Sequence, residues 1–183
     1  MAAAGVLLPP LEAAFAAAFA ILAVVVATSD VAIFEIPDWA SAALFVLGLA
    51  HALSGVATTD GLSTDGLAAA LPEVLDALAR AAVAAGTLLA VALAYRAGRR
   101  RDGLGFGDVK LAGALGPWLA WPDLPMALLV AVAAALVAVA VRAAFAGRAA
   151  LAELAVPLGA FLAPAAFLVF LLRAAGWPIS IYG

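Results

Sequence analysis

Two aspartates stand at the edges of apolar segments, and their side chains are the best suited in this chain to acid–base chemistry. Asp30 ends a charge-free run, and Asp108 opens a later apolar segment within "GLGFGDVKLAG" (103–113). An ionisable group at membrane depth is costly, so each is a candidate functional residue. Two carboxylates in a poorly solvated site do not readily both ionise. One can then activate a water molecule while the other, protonated, polarises a scissile carbonyl group.

The glycines before Asp108 agree with such a site but do not require it. Gly105 and Gly107 allow unusual backbone angles and the close approach of a peptide backbone. The spacing excludes a dinucleotide fingerprint, because Asp108 stands where its third glycine would be, and there is no Walker A sequence. Taken alone, a carboxylate after glycines is equally typical of helix capping. Asp30 taken alone is typical of a helix boundary.

The composition predicts an integral membrane protein. Of the 183 residues, 68% are hydrophobic and 11% are charged, whereas soluble domains have about 25% charged residues. A spanning helix needs roughly 20 mostly apolar residues. Four charge-free runs are close to that length, a shorter fifth run extends back across Arg80 to about residue 74, and a weaker sixth segment covers 108–121. The charge-free runs are 13–29, 39–59, 81–95, 124–141 and 154–172. We therefore predict one all-α domain over residues 1–183, a membrane bundle of about six transmembrane helices.

The same composition argues against other classes of site. The chain has no cysteine and one histidine, which excludes disulfides and disfavours a zinc site. We predict no metal and no cofactor. A net charge of −3 also disfavours nucleic acid as a partner. The N-terminus lacks the basic start of a signal peptide, so we expect the first apolar run to be retained as a helix.

Basic residues predict which face of the membrane carries the two aspartates. With six spans, loops 30–38, 96–107 and 142–149 share one face. They hold six of the arginines, and Lys110 lies just inside the next span. The opposite face has only Arg173, with Arg80 set within the third helix. Because short loops rich in Lys and Arg stay in the cytoplasm, we expect Asp30 and Asp108 on the cytoplasmic face and both termini outside.

Three stretches resemble a known family. "GFGDVKLAGALGPWLAW" (105–121) resembles the second active-site motif of the type IV prepilin peptidases, the G-x-G-D family of membrane aspartic proteases. "DVAIFEIPD" (30–38) is similar to the first motif, an aspartate followed by Ile-Pro. "VPLGAFLAPA" (156–165) is similar to a third stretch, Pro-x-Gly-Pro-x-Leu, in the last helix. The three occur in the family's order and cover most of the chain.

The resemblance implies an activity and a partner. Asp30 and Asp108 would be the catalytic pair of an aspartic endopeptidase in the bacterial inner membrane. Its substrate would be a prepilin or pseudopilin, whose short basic leader is cut at the cytoplasmic face. The larger bifunctional members have a cysteine-containing methyltransferase domain. This chain resembles instead the short, peptidase-only form of tight-adherence (Flp-type) pilus systems. Membrane lipid is the other expected partner, and a homo-oligomer is left open.

The chain also departs from the family's motifs. Basic residues are frequent between the first aspartate and Ile-Pro, where this chain has Ala32, Phe34 and Glu35. Asp38 stands where asparagine is usual, and Ala160 replaces the second proline of the third motif. We expect these differences to affect substrate preference more than chemistry.

Six further residues are candidates for binding the substrate or shaping the site: Gly105, Gly107, Lys110, Pro37, Pro157 and Gly159. Lys110 is either a snorkelling boundary lysine or a group that orients Asp108. Pro37 is expected to set the start of the second helix. Pro157 and Gly159 are expected to kink the last helix, for structure or to shape the substrate cleft.

The remaining aromatic and imidazole groups have simpler interpretations. Trp118, Trp121 and Trp177 are expected to be anchors at the membrane interface. His51, late in the second helix, is expected to have a packing or interface role, because no second ligand is visible near it.

Two other functions compete with the peptidase hypothesis. A small six-helix transporter or channel subunit could use the two aspartates as a proton or cation site. Internal symmetry between the two halves would favour transport, and the sequence has none. A catalytically silent assembly component is a third alternative, and the intact aspartate pair argues against it.

Overall fold

The fold is a helical bundle, described by a computed structural model over residues 9–60, 64–99, 104–146 and 156–177. These residues contain no strand, which confirms the predicted all-α class. A single 3-10 turn, Gly116–Trp118, follows the fourth helix. The α-helices are α1 (Pro10–Ile33), α2 (Asp38–Asp60), α3 (Thr64–Arg99), α4 (Phe106–Leu115), α5 (Asp123–Ala146) and α6 (Gly159–Ala174). Parts of the predicted loops 96–107 and 142–149 lie outside the described residues. They include Arg100, Arg101, Asp102, Gly103 and Arg148.

Three helices within the described ranges are long and apolar enough to cross a membrane. They are Pro10–Ile33, Ala68–Gly98 and Asp123–Phe145. The apolar helix α6 has 16 residues. The predicted fourth span is shorter than expected: α4 has 10 residues, which at 1.5 Å per residue is about half of the hydrocarbon thickness. α4, which begins at Phe106, is therefore not one of the three helices long enough to cross a membrane.

Close packing against α3 explains why α4 is short. A Cβ atom added to Gly116 would lie 2.4 Å from the Cα of Ala81, so only glycine permits this approach. Pro117 follows directly and sits at the start of the 3-10 turn, and Leu119 is extended (φ −111°, ψ 140°). α4 thus ends where the backbone at Gly116 packs against the backbone of α3. It then reaches Trp121, whose Nε1 donates to Asp76 of α3 at 2.8 Å.

An aromatic cluster fills the interior between α1, α2, the 3-10 turn and α6. Trp118 lies 4.5 Å from Phe19, between ring centroids, and its Nε1 donates to the carbonyl oxygen of Leu44 at 2.8 Å. Trp118 is only 4% exposed, so its predicted role as an interface anchor is wrong. A carbonyl of α2 satisfies the indole N–H inside the bundle, and water is not required. His51 stacks on Trp118 and pairs with Glu12 at 3.1 Å, in agreement with a packing role.

The two ends of the bundle hold different chemical groups. At one end, the last turn of α1 meets the starts of α2, α4 and α6, where both candidate aspartates lie. At the other end, Arg173 in the last turn of α6 binds the fully buried Asp123 through two hydrogen bonds, one of them 2.9 Å long. α6 therefore extends from the aspartate pair to an ion pair, between the half-exposed Arg173 and the buried Asp123, that joins it to α5.

Candidate active site

A cavity of about 620 Å³ lies at the end of the bundle where α1, α2 and α4 meet. Residue 30, residues 33–38 and residues 105–108 with 110 form its walls. Both Asp30 and Asp108 line it, although they are only 5% and 9% exposed. The fold therefore brings together two carboxylates separated by more than seventy positions in sequence, in one largely buried place that opens to the outside.

Asp30 is held within the last turn of α1. The helix continues past it to Ile33 and ends where Phe34 takes a left-handed conformation (φ 54°), with the Phe34 N–H donating to the Asp30 carbonyl at 3.0 Å. Asp30 is thus fixed by helical backbone and does not begin the connecting loop. Its Oδ2 accepts a hydrogen bond of 2.8 Å from the backbone N–H of Ala160, in the first turn of α6.

Asp108 lies in the first turn of α4, where the helix begins after an extended Gly105 (φ −69°, ψ 144°). Its own N–H donates to the Gly105 carbonyl at 3.1 Å. The pKa of the Asp108 carboxyl is raised from 3.8 to about 6, because burial and, to a smaller degree, the neighbouring Asp30 charge outweigh hydrogen bonds from the backbone of Gly105 and Gly159. Asp108 therefore retains a proton more readily than an exposed aspartate.

The three candidate glycines have different steric reasons to be glycine. A Cβ at Gly159 would lie 2.6 Å from Ile36 Cδ1 and 3.0 Å from Asp30 Oδ2, so a side chain there would push directly on the site. At Gly105, the nearest atom would be Asp108 Oδ2 at 3.3 Å, a tight contact. At Gly107, a Cβ would meet Ile36 at an ordinary 3.5 Å. Gly159 is thus the position that tolerates a side chain least.

The two candidate prolines each precede a helix. α2 begins at Asp38, directly after Pro37, whose carbonyl accepts the Ala40 N–H at 3.0 Å, which confirms Pro37 as the start signal. The expected kink at Pro157 and Gly159 is wrong. α6 begins at Gly159, and Pro157 lies before it. A proline fits just ahead of a helix, where its missing N–H removes no helical hydrogen bond.

Lys110 joins α4 to α2 at the rim of the cavity. Its Nζ donates to Asp38 Oδ1 at 2.5 Å and lies 5.5 Å from the centroid of the Phe106 ring. Both charged side chains are substantially exposed. These contacts place Lys110 in an interhelical ion pair at the cavity mouth.

The backbone of α6 is the part of the site that sequence patterns did not identify. The Ala160 N–H donates to Asp30, and hydrogen bonding from the Gly159 backbone lowers the pKa of Asp108, whereas the sequence suggested only a kink there. The available signal was Ala160, because it stands where the third motif has a proline, which lacks an N–H. Among the described residues, no group of three or more His, Cys, Asp or Glu could hold a metal ion.

The fold and the site define a polytopic helical membrane protein with a buried carboxylate pair at one end. The chain belongs to the type IV leader peptidase family, whose model matches residues 17–140. The matched region contains both aspartates and ends before α6.

Named relatives agree with this assignment. The chain is 38% identical over 113 residues to "Leader peptidase HopD" of Escherichia coli, covering 61% of this chain and 68% of the relative. The corresponding protein of Salmonella typhimurium is 36% identical over 110 residues, 60% of this chain and 66% of the relative. "Prepilin leader peptidase/N-methyltransferase" of Burkholderia pseudomallei is 45% identical over 62 residues, 34% of this chain but only 19% of that protein. No solved structure matches the chain.

Proposed function

We propose that this leader peptidase family member is an aspartic endopeptidase that removes the basic leader of a prepilin or pseudopilin. Asp30 and Asp108 act as its catalytic pair. The observation that carries the proposal is that both carboxylates line one cavity of about 620 Å³ while each is almost fully buried. The family match fits this function and does not favour the transporter hypothesis.

The proposed reaction divides two tasks between the carboxylates. Asp108, whose pKa is raised to about 6, is the proton donor, and Asp30 acts as the base. Asp30 accepts a proton from a water molecule as the water oxygen attacks the scissile carbonyl carbon. Asp108 donates its proton to the carbonyl oxygen. When the tetrahedral intermediate collapses, the C–N bond breaks and the leaving nitrogen takes up the proton held by Asp30. A hydroxyl group of the intermediate returns its proton to Asp108, so both carboxyl groups regain their starting states.

The proposed orientation puts this cavity on the cytoplasmic side of the inner membrane. α3 ends at Arg99 and α4 begins at Phe106, so Arg96, in the last turn of α3, lies toward the cavity end of the bundle. α5 carries Arg142 near its end, on its return from the opposite end at Asp123. Clusters of Lys and Arg in short loops favour the cytoplasmic side.

The cavity rim offers a place for the cationic leader. Glu35 lines the cavity, and Asp38 lines it while paired with Lys110. The family's frequent basic residues are absent from this loop. The loop thus presents negative charge to a substrate whose leader is basic, and opposite charges at a rim favour encounter and orientation.

Leader removal can be tested directly. The protein is co-expressed with a candidate prepilin, and the loss of the leader is followed by gel mobility and by the mass of the mature N-terminus. Asp30→Asn and Asp108→Asn should each abolish processing while the protein remains inserted. Asp76→Asn is the matched control, because it neutralises a carboxylate at the opposite end of the bundle, beside Trp121. Processing that survives either dyad substitution removes the assignment of the pair.

A further inference from the structure

We infer that the first turn of α6 is the positioning element of the aspartate pair, and that the Ala160 N–H is the donor that fixes the Asp30 carboxylate. This inference rests on the proposed function and adds to it. It assigns a role to a main-chain group and to a helix that lies beyond the region matched by the family model.

The bond uses a donor that the helix leaves unsatisfied. The first N–H groups of an α-helix have no partner within the helix. In α6, the Ala160 N–H donates to Asp30 Oδ2 at 2.8 Å, and hydrogen bonding from the backbone of Gly159 acts against the raised pKa of Asp108. One helix start therefore holds carboxylates from α1 and α4. The positive end of the helix dipole also lies beside both of them.

The donor in this contact is a main-chain group, so the helix fixes its direction. Asp30 and Asp108 belong to helices that meet at this end of the bundle, and α6 packs against both α1 and α4. The N–H of residue 160 cannot rotate away as a side chain could. It engages Oδ2 of Asp30, and this leaves Oδ1 as the oxygen that takes the proton from water in the proposed reaction.

Close packing ensures that the donor is in reach. Gly159 lies against Ile36 and Asp30 so tightly that a Cβ would be 2.6 Å from Ile36 Cδ1 and 3.0 Å from Asp30 Oδ2. The absence of a side chain at 159 thus brings the next N–H within hydrogen-bond distance of the carboxylate. Residue 160 must itself have an N–H for that approach to be used.

The test removes the N–H while keeping the helix. Ala160→Pro places proline in the first helical turn, where it is tolerated, and it also introduces the residue of the third motif. Ala160→Val is the matched control, because it adds comparable side-chain volume but retains the N–H. Each protein is purified in detergent, and kcat, KM and the pH profile of leader removal are measured with a purified prepilin.

We expect Ala160→Pro to lower kcat about 3- to 10-fold with little change in KM. We also expect the acid limb of its pH profile to move up by about 1 pH unit, because a lost hydrogen bond no longer favours the charged carboxylate. Ala160→Val should keep the wild-type profile. A merely structural role would change the amount of folded protein and leave the profile where it was.

Several results would overturn the inference. Ala160→Pro with the wild-type profile does so, and so does Ala160→Val with the same shift as the proline variant. If Ala160→Pro does not fold, lactic acid incorporated at position 160 replaces the N–H by an ester oxygen without a ring, and an unshifted profile in that protein overturns the inference equally. Failure of the proposed function itself is distinct, because the wild-type protein would then leave the leader intact.

Discussion

Gly159→Ala is the substitution that tests the site most directly with a single methyl group. The added Cβ would lie 2.6 Å from Ile36 Cδ1 and 3.0 Å from Asp30 Oδ2. Carbon atoms in contact prefer separations of about 3.5–4.0 Å, so the first contact is about 1 Å too short. Either Ile36 changes rotamer or the start of α6 moves away from α1 by a similar distance.

The size of the effect follows from those two responses. Overpacking of a filled interior costs about 1–3 kcal/mol, so the midpoint of thermal unfolding should fall. The catalytic effect should be larger, because a misplacement of about 1 Å in a catalytic constellation can cost about 100-fold in rate. We therefore expect leader removal by Gly159→Ala to be about 10- to 100-fold slower than by wild type.

The assay is a time course of leader removal at a fixed concentration of inserted protein, with thermal unfolding in detergent measured on the same samples. Gly86→Ala is the matched control, because no atom lies within 4 Å of its added Cβ and it does not line the cavity, and it should process at nearly the wild-type rate. Ile36→Val removes Cδ1 and should restore part of the rate to Gly159→Ala. A Gly159→Ala protein that processes at the wild-type rate, or a double variant with no gain, would refute the steric reasoning.

Three other expectations concern stability and substrate binding. Gly116→Ala should lower stability by about 3 kcal/mol in thermal unfolding, because its Cβ would lie 2.4 Å from Ala81 Cα, whereas Gly86→Ala, with no atom within 4 Å, should cause no loss. The pKa of Asp108, raised by burial to about 6, means that the folded protein binds this proton more tightly than the unfolded chain. The free energy of unfolding should therefore fall by about 1–2 kcal/mol as pH rises from about 4 to 6, a value reduced to allow for solvent in the cavity. Asp108→Asn should remove that decrease across pH 4–8. Glu35→Gln should raise KM for a basic leader about 2- to 5-fold at unchanged kcat, less so in about 0.5 M salt; an equal effect on a leader without basic residues would contradict the charge argument.

Much of the helical bundle can be predicted from the order of apolar, charged and proline residues in the sequence. Charge-free runs predict most of the helices because lipid tolerates few charged side chains, and Pro37 marks a helix start because it lacks an N–H. The candidate pair could also be proposed from the sequence, because Asp30 and Asp108 interrupt apolar segments. That they share one cavity depends on packing between distant helices, which spacing along the chain does not determine.

The predictions that failed depend on such packing. Trp118 was expected at the membrane interface, and it is buried because a carbonyl of α2 lies within reach of its indole N–H. The fourth segment was expected to run from 108 to 121, and its helix stops at Leu115 because Gly116 packs against the backbone of α3. A kink was expected at Pro157, and the helix instead begins two residues later. In each case a contact from another helix decided the local structure.

Contacts between helices would also position the proposed site, because α6 supplies none of the proposed catalytic side chains but packs against the helices that do. α6 is tied at its far end, where Arg173 binds the fully buried Asp123 of α5 through two hydrogen bonds. Its 16 residues have a nearly fixed length of about 24 Å. The ion pair therefore limits how far the helix can slide along its axis. At its near end, Gly159 rests against Ile36 and Asp30. A helix restrained at both ends can present a main-chain N–H to a carboxylate with little freedom, which is the preorganisation that acid–base catalysis by a buried pair requires.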